Sequence, residues 1–118
     1  MPRLLLVDDD PDILDILGDY LGSIGYDIVA VGTGAQVAAA LQQHRFSGAV
    51  VDWSLPDLPG SQVLRVFQEQ APDCMVLVTT GHIREVIPGE APIRGVIRKP
   101  YSLRALALRL EALGLSTS

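Results

Sequence analysis

Acidic and basic residues close three separate apolar runs in this chain. Asp8-Asp9-Asp10 follows Leu4–Val7, Asp52 follows Ala49–Val51, and Lys99-Pro100 follows Gly95–Arg98. If the runs are neighbouring strands of a parallel sheet, carboxylates and an ammonium converge at one end of it. That combination suits a divalent cation and a phosphoryl group. Mg²⁺ is a hard ion that takes oxygen ligands and keeps positions for water or phosphate. Carboxylates held within a few ångströms of one another repel unless a cation neutralises them or some take up protons. Asp9 is the expected direct ligand, with Asp8 binding directly or through water.

Each piece taken singly has an ordinary structural explanation. Acidic runs are commonly solvated turns, and Asp10-Pro11-Asp12 is a sound helix start, so Asp10 and Asp12 are assigned to that role. An aspartate after a strand often shapes a loop, and Lys-Pro is often just a turn. The order and spacing of the three pieces favour a site.

The elements that must position them alternate along the chain. Leu4-Leu5-Leu6-Val7 is the continuous apolar run expected of a strand buried on both faces of a parallel sheet. From Asp12 to Ile24, Ile13, Leu14, Ile16, Leu17, Tyr20, Leu21 and Ile24 recur at helical spacing, with Gly25 as the stop. A strand over Tyr26–Val31 and an Ala-rich helix over Gly34–His44 follow, the latter with Val37, Ala38 and Leu41 inward. The third strand is Gly48–Asp52. Val63, Leu64, Val66 and Phe67 mark a third helix ending before Pro72, and Met75–Thr80 is the fourth strand. Between residues 81 and 94, Pro88, Gly89 and Pro92 leave at most a short helical turn after Arg84-Glu85-Val86-Ile87. Gly95–Arg98 is a fifth strand, and Ser102 caps a final helix carrying Leu103, Leu106, Leu110 and Leu113. This alternation predicts an α/β fold with one doubly wound, five-stranded parallel sheet. In such sheets ligands bind beyond the carboxyl ends of the strands where strand order reverses, between strands one and three if the order is 2-1-3-4-5.

Composition narrows the function classes. The chain has 118 residues, is 48% hydrophobic and carries a formal charge of −5. One domain over residues 1–118 is expected. The acidic balance argues against direct nucleic-acid binding, which usually needs clustered Lys and Arg. Cys74 is the single cysteine, so no internal disulfide forms and a reducing cytoplasm fits; it is expected in the core. The apolar runs are too short to span a membrane. His44, at a helix end, and His82, in a loop, are expected at the surface, and Trp53 is expected to flank the site as a structural residue.

At these positions the chain resembles the receiver domain of two-component response regulators over essentially its whole length. Leu5-Leu6-Val7-Asp8-Asp9-Asp10 looks like the family's acidic pair after strand one. Asp52-Trp53-Ser54-Leu55-Pro56-Asp57-Leu58-Pro59-Gly60 looks like the segment that begins at its phospho-acceptor. Thr80-Gly81 and Lys99-Pro100 look like its switch hydroxyl and lysine. The resemblance implies the CheY-like, flavodoxin-like fold, with Asp52 accepting a phosphoryl group from phosphohistidine of a sensor histidine kinase or histidine phosphotransfer protein. It implies Mg²⁺ held by Asp8, Asp9, Asp52 and the backbone carbonyl of Ser54. Thr80 and Lys99 would bind the phosphate, and a cis peptide before Pro100 would aim Lys99; sequence alone favours a trans turn there. Thr79 competes with Thr80 for the switch role, and register from Asp52 through Pro56, Gly60 and Pro72 favours Thr80.

Two departures bear on output. The family usually carries an aromatic residue three positions before the lysine, where this chain has Val96. The Thr80 to Lys99 stretch is also about three residues shorter than in typical members, so the helix between strands four and five, the fourth in the family's order, is expected to be shortened. Dimerisation through that face is therefore disfavoured, and a monomer or weak dimer is expected. The resemblance fits a stand-alone receiver or the receiver part of a hybrid sensor kinase or larger regulator, with self-catalysed phosphoryl transfer and hydrolysis as its only enzymology. Two other readings stand beside it. One is a receiver-like interaction module that works without phosphorylation. The other is a Mg²⁺-dependent phosphohydrolase using Asp8-Asp9-Asp10 as an Asp-x-Asp, in which Asp8 is the nucleophile.

Overall fold

In the computed structural model, which describes residues 1–82 and 85–117, strands and helices alternate through most of the chain. The elements are β1 (Arg3–Val7), α1 (Pro11–Ser23), β2 (Asp27–Val31), α2 (Ala35–Gln43), β3 (Gly48–Asp52), α3 (Gly60–Gln70), β4 (Met75–Thr80), β5 (Ile93–Arg98) and α4 (Leu103–Ala112). The sheet is wholly parallel, in the order β2-β1-β3-β4-β5. The reversal of strand order therefore falls between β1 and β3, where ligands are expected to bind.

Alternation of side chains along each strand divides the core into two layers. Leu5, Val7, Ala49, Val51, Val76 and Val78 face Val37, Val63 and Phe67 of α2 and α3. Leu4, Leu6, Val50, Leu77 and Ile97 face Leu17, Leu21, Leu106 and Leu110 of α1 and α4. Both faces are thus covered, which is why β1, β3 and β4 are apolar without a polar alternate. Each fully buried Leu or Val contributes about 1.5–3 kcal/mol.

Local sequence fixes the helix ends. Asp10 is the N-cap of α1, its carboxylate accepting from the N–H groups of Asp12 and Ile13, with Pro11 in the first turn. Gly25, at φ 113°, takes the left-handed conformation that ends the helix and turns the chain into β2. Ser102 caps α4, its Oγ accepting from Ala105 N at 3.0 Å.

Several boundaries and side chains differ from expectation. β5 begins at Ile93 rather than Gly95, because a register shift accommodates Arg94: Val76 pairs with Ile93 and Leu77 with Gly95. Ile16 and Ile24 of the α1 stripe are exposed, since the apolar stripe is wider than the face the sheet covers. In α2 the buried pair is Val37 and Ala40, with Ala38 and Leu41 only half-buried. His44 is not simply solvated: half-buried, it sits edge-on to Phe46 at a centroid distance of 5.8 Å, and its Nδ1 lies 3.4 Å from Arg3 Nη1. The shortened helix expected between β4 and β5 would start on residues outside those described; over Glu85–Pro92 the chain is not helical. Both Ala91-Pro92 and Lys99-Pro100 are cis peptides; the first had no signal in the sequence.

Candidate functional site

The carboxyl ends of β1, β3, β4 and β5 deliver Asp8, Asp52, Thr80 and Lys99 to one edge of the sheet, with Asp9 beside Asp8. One carboxylate oxygen from each of Asp8, Asp9 and Asp52 lies within 4.8 Å of the others. Asp8 and Asp52 are 4% and 5% exposed, whereas Asp9 is exposed. The sequence thus pairs two near-buried acids, held by strand ends, with one solvent-facing acid in the following loop.

Lys99 reaches across β4 to both buried acids. Its Nζ lies 3.1 Å from Asp8 Oδ2 and 3.2 Å from Asp52 Oδ2. Its backbone N–H donates to Thr80 O at 2.8 Å, fixing the base of the side chain. Burial works against the ammonium's charge, but the hydrogen bond to Asp8 and the charge of Asp52 outweigh it and hold the Lys99 pKa above its ordinary value. The other carboxylate oxygens are held by backbone: Asp10 N donates to Asp8 Oδ1 and Ser54 N to Asp52 Oδ1, both at 3.0 Å. These contacts fix the carboxylate orientations.

Three carboxylates against one ammonium leave two negative charges uncompensated. The donor set is all oxygen and compact, which fits a hard divalent ion such as Mg²⁺ that retains positions for water or phosphate. The acidic pocket is of the kind typical of receiver Mg²⁺ sites.

Thr79 and Thr80 are both buried, but they are engaged differently. Thr79 sits within the strand, paired with Asp52, and its carbonyl accepts from Trp53 N at 3.0 Å. The Thr80 hydroxyl faces the loop beyond β4: it donates to a Glu85 carboxylate oxygen, lies 3.4 Å from His82 O, and accepts from His82 N at 3.3 Å. Glu85 also accepts from Ser54 Oγ. Glu85 drew no attention in the sequence because it lies in a stretch broken by Pro88 and Pro92.

The neighbouring loops are tied down by particular residues. Gly60 opens α3 with the Trp53 ring directly over it; a Cβ there would lie 2.3 Å from the indole. Asp57, also missed in the sequence, accepts from Gly34 N at 2.9 Å and Ala35 N at 3.0 Å, joining the loop after β3 to the start of α2. Those two backbone bonds hold the Asp57 pKa below its usual value. Val96 is half-buried against the α2 and α3 core layer, and its carbonyl accepts from Arg109 Nη2 at 3.0 Å. His82 is exposed, and Cys74 is buried with its thiol pushed up to about 12 by burial. Asp10 is committed to capping α1, which removes the second acid of the Asp-x-Asp reading. Among the described residues no helix is long and apolar enough to cross a membrane.

Comparison with known proteins agrees with this geometry. The family pattern of the response regulator receiver domain matches residues 4–111. The chain is 30% identical over 112 residues to the DNA-binding response regulator MtrA of Mycolicibacterium smegmatis, covering 93% of this chain and 49% of that protein. It is 34% identical over 108 residues to the sensor protein TorS of Escherichia coli, covering 88% of this chain and 12% of that protein. A CheY-like receiver domain protein from Methanospirillum hungatei superimposes with a TM-score of 0.84 at 26% identity, covering 96% of this chain and 93% of that one. The chain thus spans about half the length of that DNA-binding response regulator and a small part of the sensor protein. The chain belongs to the response regulator receiver domain family, the phosphorelay signalling modules of two-component systems.

Proposed function

We propose that the chain is an active receiver in which Asp52 accepts a phosphoryl group from phosphohistidine of a sensor histidine kinase or histidine phosphotransfer protein. The observation that carries this is the near-buried Asp52 carboxylate, held on one oxygen by Ser54 N–H and on the other by Lys99. In the transfer a carboxylate oxygen of Asp52 forms a bond to phosphorus as the P–N bond to the donor imidazole breaks. The bonding pair leaves on the imidazole nitrogen, which takes up a proton. A carboxylate is a weak nucleophile, so acceleration comes from in-line positioning and charge neutralisation.

Asp8, Asp9, Asp52 and the Ser54 carbonyl are assigned to Mg²⁺, which when bound supplies positive charge at the phosphoryl oxygens. Lys99, freed from Asp52 as that carboxylate becomes an acyl phosphate, stays paired with Asp8 and turns its charge to the phosphoryl group. Thr80 supplies a hydroxyl donor to the same group. A separate step resets the switch: water attacks phosphorus, the bond from phosphorus to the Asp52 oxygen breaks, and the carboxylate and inorganic phosphate are released, so the module catalyses only its own phosphorylation and dephosphorylation.

A protein donor finds purchase beside the site. An apolar cleft of about 570 Å³ next to Lys99 is lined by Ile13, Ile16, Leu17, Pro100, Tyr101 and Leu103. Its surface suits a helix presenting phosphohistidine. The absence of helix over Glu85–Pro92 favours a monomer or weak dimer, and a cytoplasmic setting fits the single buried cysteine. The receiver chemistry is the same for residues 1–118 acting alone or inside a longer regulator or hybrid sensor kinase.

Intact mass after incubation with Mg²⁺ and acetyl phosphate tests the assignment. Wild type is expected to gain one phosphate and Asp52→Asn none. A wild type that binds Mg²⁺ yet gains no mass from acetyl phosphate or from a phosphorylated histidine protein points instead to a module that works without phosphorylation.

A further inference from the structure

Two hydroxyls at the rim of the site converge on one carboxylate. Thr80 Oγ1 donates to Glu85 Oε2 and Ser54 Oγ donates to Glu85 Oε1. Ser54 is two residues after Asp52, and Thr80 closes the neighbouring strand β4. Glu85 therefore bridges the loop after β3 to the loop after β4, and sets a negative charge beside the place where a phosphoryl group on Asp52 needs a hydroxyl donor. Burial alone would raise the Glu85 pKa, but the hydrogen bonds from Ser54 and Thr80 and the nearby His82 outweigh it and lower it. The carboxylate form is thus the one the bridge favours.

We infer that Glu85 is a positioning residue that occupies the Thr80 and Ser54 hydroxyls in the resting protein and is expelled when Asp52 carries a phosphoryl group. The inference rests on the receiver reading above. A phosphoryl group bears up to two negative charges and three acceptor oxygens, so it competes for the Thr80 hydroxyl and repels the carboxylate. Thr80 then exchanges one acceptor for another without losing a hydrogen bond. Glu85 loses its partners, and the segment from Glu85 to Pro92 is released from the loop after β3. Val96 has no ring to follow the Thr80 hydroxyl, and release of this segment supplies a two-state element that a ring would otherwise provide.

The resting carboxylate also opposes the incoming group, so its removal speeds uptake. Glu85→Gln keeps the side chain's size but weakens acceptance and removes the charge. Initial rates of phosphate gain from acetyl phosphate and Mg²⁺, read by intact mass, are expected to rise about threefold to tenfold in Glu85→Gln. Glu90→Gln, the same charge change at an exposed glutamate on Gln68, is expected to match wild type. In a Thr80→Ala background the gain from Glu85→Gln is expected to shrink, since the two residues act through one contact.

A rate in Glu85→Gln equal to or below wild type overturns the inference, as does the same acceleration in Glu90→Gln or an undiminished one in the Thr80→Ala background. A second measurement needs no donor: in ¹⁵N–¹H spectra of the resting protein, Glu85→Gln is expected to shift the Thr80 and Ser54 amides. Unshifted amides overturn the bridge whether or not the protein is phosphorylated. If no variant gains mass from acetyl phosphate or from a phosphorylated histidine protein while those amides shift, the resting bridge is supported, and the receiver reading and expulsion by phosphate fail.

Discussion

Replacing Lys99 by methionine isolates the charge balance at the strand ends. Methionine keeps an unbranched apolar stem, so the change removes an ammonium that lies 3.1 Å from Asp8 and 3.2 Å from Asp52. Two carboxylates, 4% and 5% exposed, are then left without their cation. Breaking a fully buried ion pair costs about 3–5 kcal/mol. The Lys99 side chain keeps 26% exposure, so water softens the loss and about 2 kcal/mol is expected. Asp52→Asn acts in the opposite direction: it removes one of two like charges and leaves Lys99 paired with Asp8, so stability within about 1 kcal/mol of wild type, or above it, is expected. Urea unfolding followed by Trp53 emission resolves the difference. At a slope of about 1–3 kcal/mol per molar, a 2 kcal/mol loss moves the midpoint by about 1 M. If the folded acids take up Mg²⁺ as proposed, the ion is expected to raise the midpoints of wild type and Lys99→Met, and more so in Lys99→Met, where it is the sole cation facing Asp8 and Asp52. The alkaline limb supplies a sign check. The Lys99 pKa is raised in the folded state above its ordinary value of 10.5, so the pair's contribution is fully present below 10.5 and is lost as pH climbs through the folded value. The gap between wild type and Lys99→Met should therefore close only above that value on the alkaline side. Equal midpoints at neutral pH, or Asp52→Asn less stable than Lys99→Met, would refute the reasoning.

Two further perturbations probe the frame around the site. Gly60→Ala drives a Cβ to 2.3 Å from the Trp53 ring; a loss of about 1–3 kcal/mol with a shift in Trp53 emission is expected, and unchanged emission and midpoint would show that the ring does not rest there. Leu115 is buried, its carbonyl accepts from the Tyr26 hydroxyl, and its side chain fills the space above Gly48. Leu115→Ala is expected to cost about 2–5 kcal/mol in thermal or urea unfolding, and a cost near zero would mean that the chain after α4 is not docked.

What could be seen in the sequence follows from how each element is encoded. β3 and β4 were legible to the residue, because continuous apolar runs end sharply at Asp52 and at Thr80-Gly81. α1 was legible because Asp10-Pro11 and Gly25 mark its two ends. β5 was not, since Arg94 and Gly95 interrupt the pattern where the register shifts. Ile16 was misplaced because helical spacing reports an apolar stripe without saying how much of it the sheet covers; at 55% exposure it borders the cleft beside Lys99. Asp8, Asp9, Asp52 and Lys99 could be grouped from their positions after apolar runs. That one ammonium reaches both buried acids depends on strand order and side-chain direction, which residue spacing does not encode. The roles of Glu85 and Asp57 were silent for a related reason: each acts on a partner in another loop, which no local pattern encodes, although Asp57 lies within the Asp52–Gly60 segment.

The most direct test of the central claim is to trap the acyl phosphate. Protein treated with Mg²⁺ and acetyl phosphate is reduced with borohydride, which converts an aspartyl phosphate to homoserine, and the digest is sequenced by mass spectrometry. Reduction at residue 52 alone, dependent on Mg²⁺ and lost in Asp52→Asn, is the expected result. Reduction at residue 8, or phosphate gain that borohydride does not convert at any aspartate, would contradict the assignment of Asp52 as acceptor.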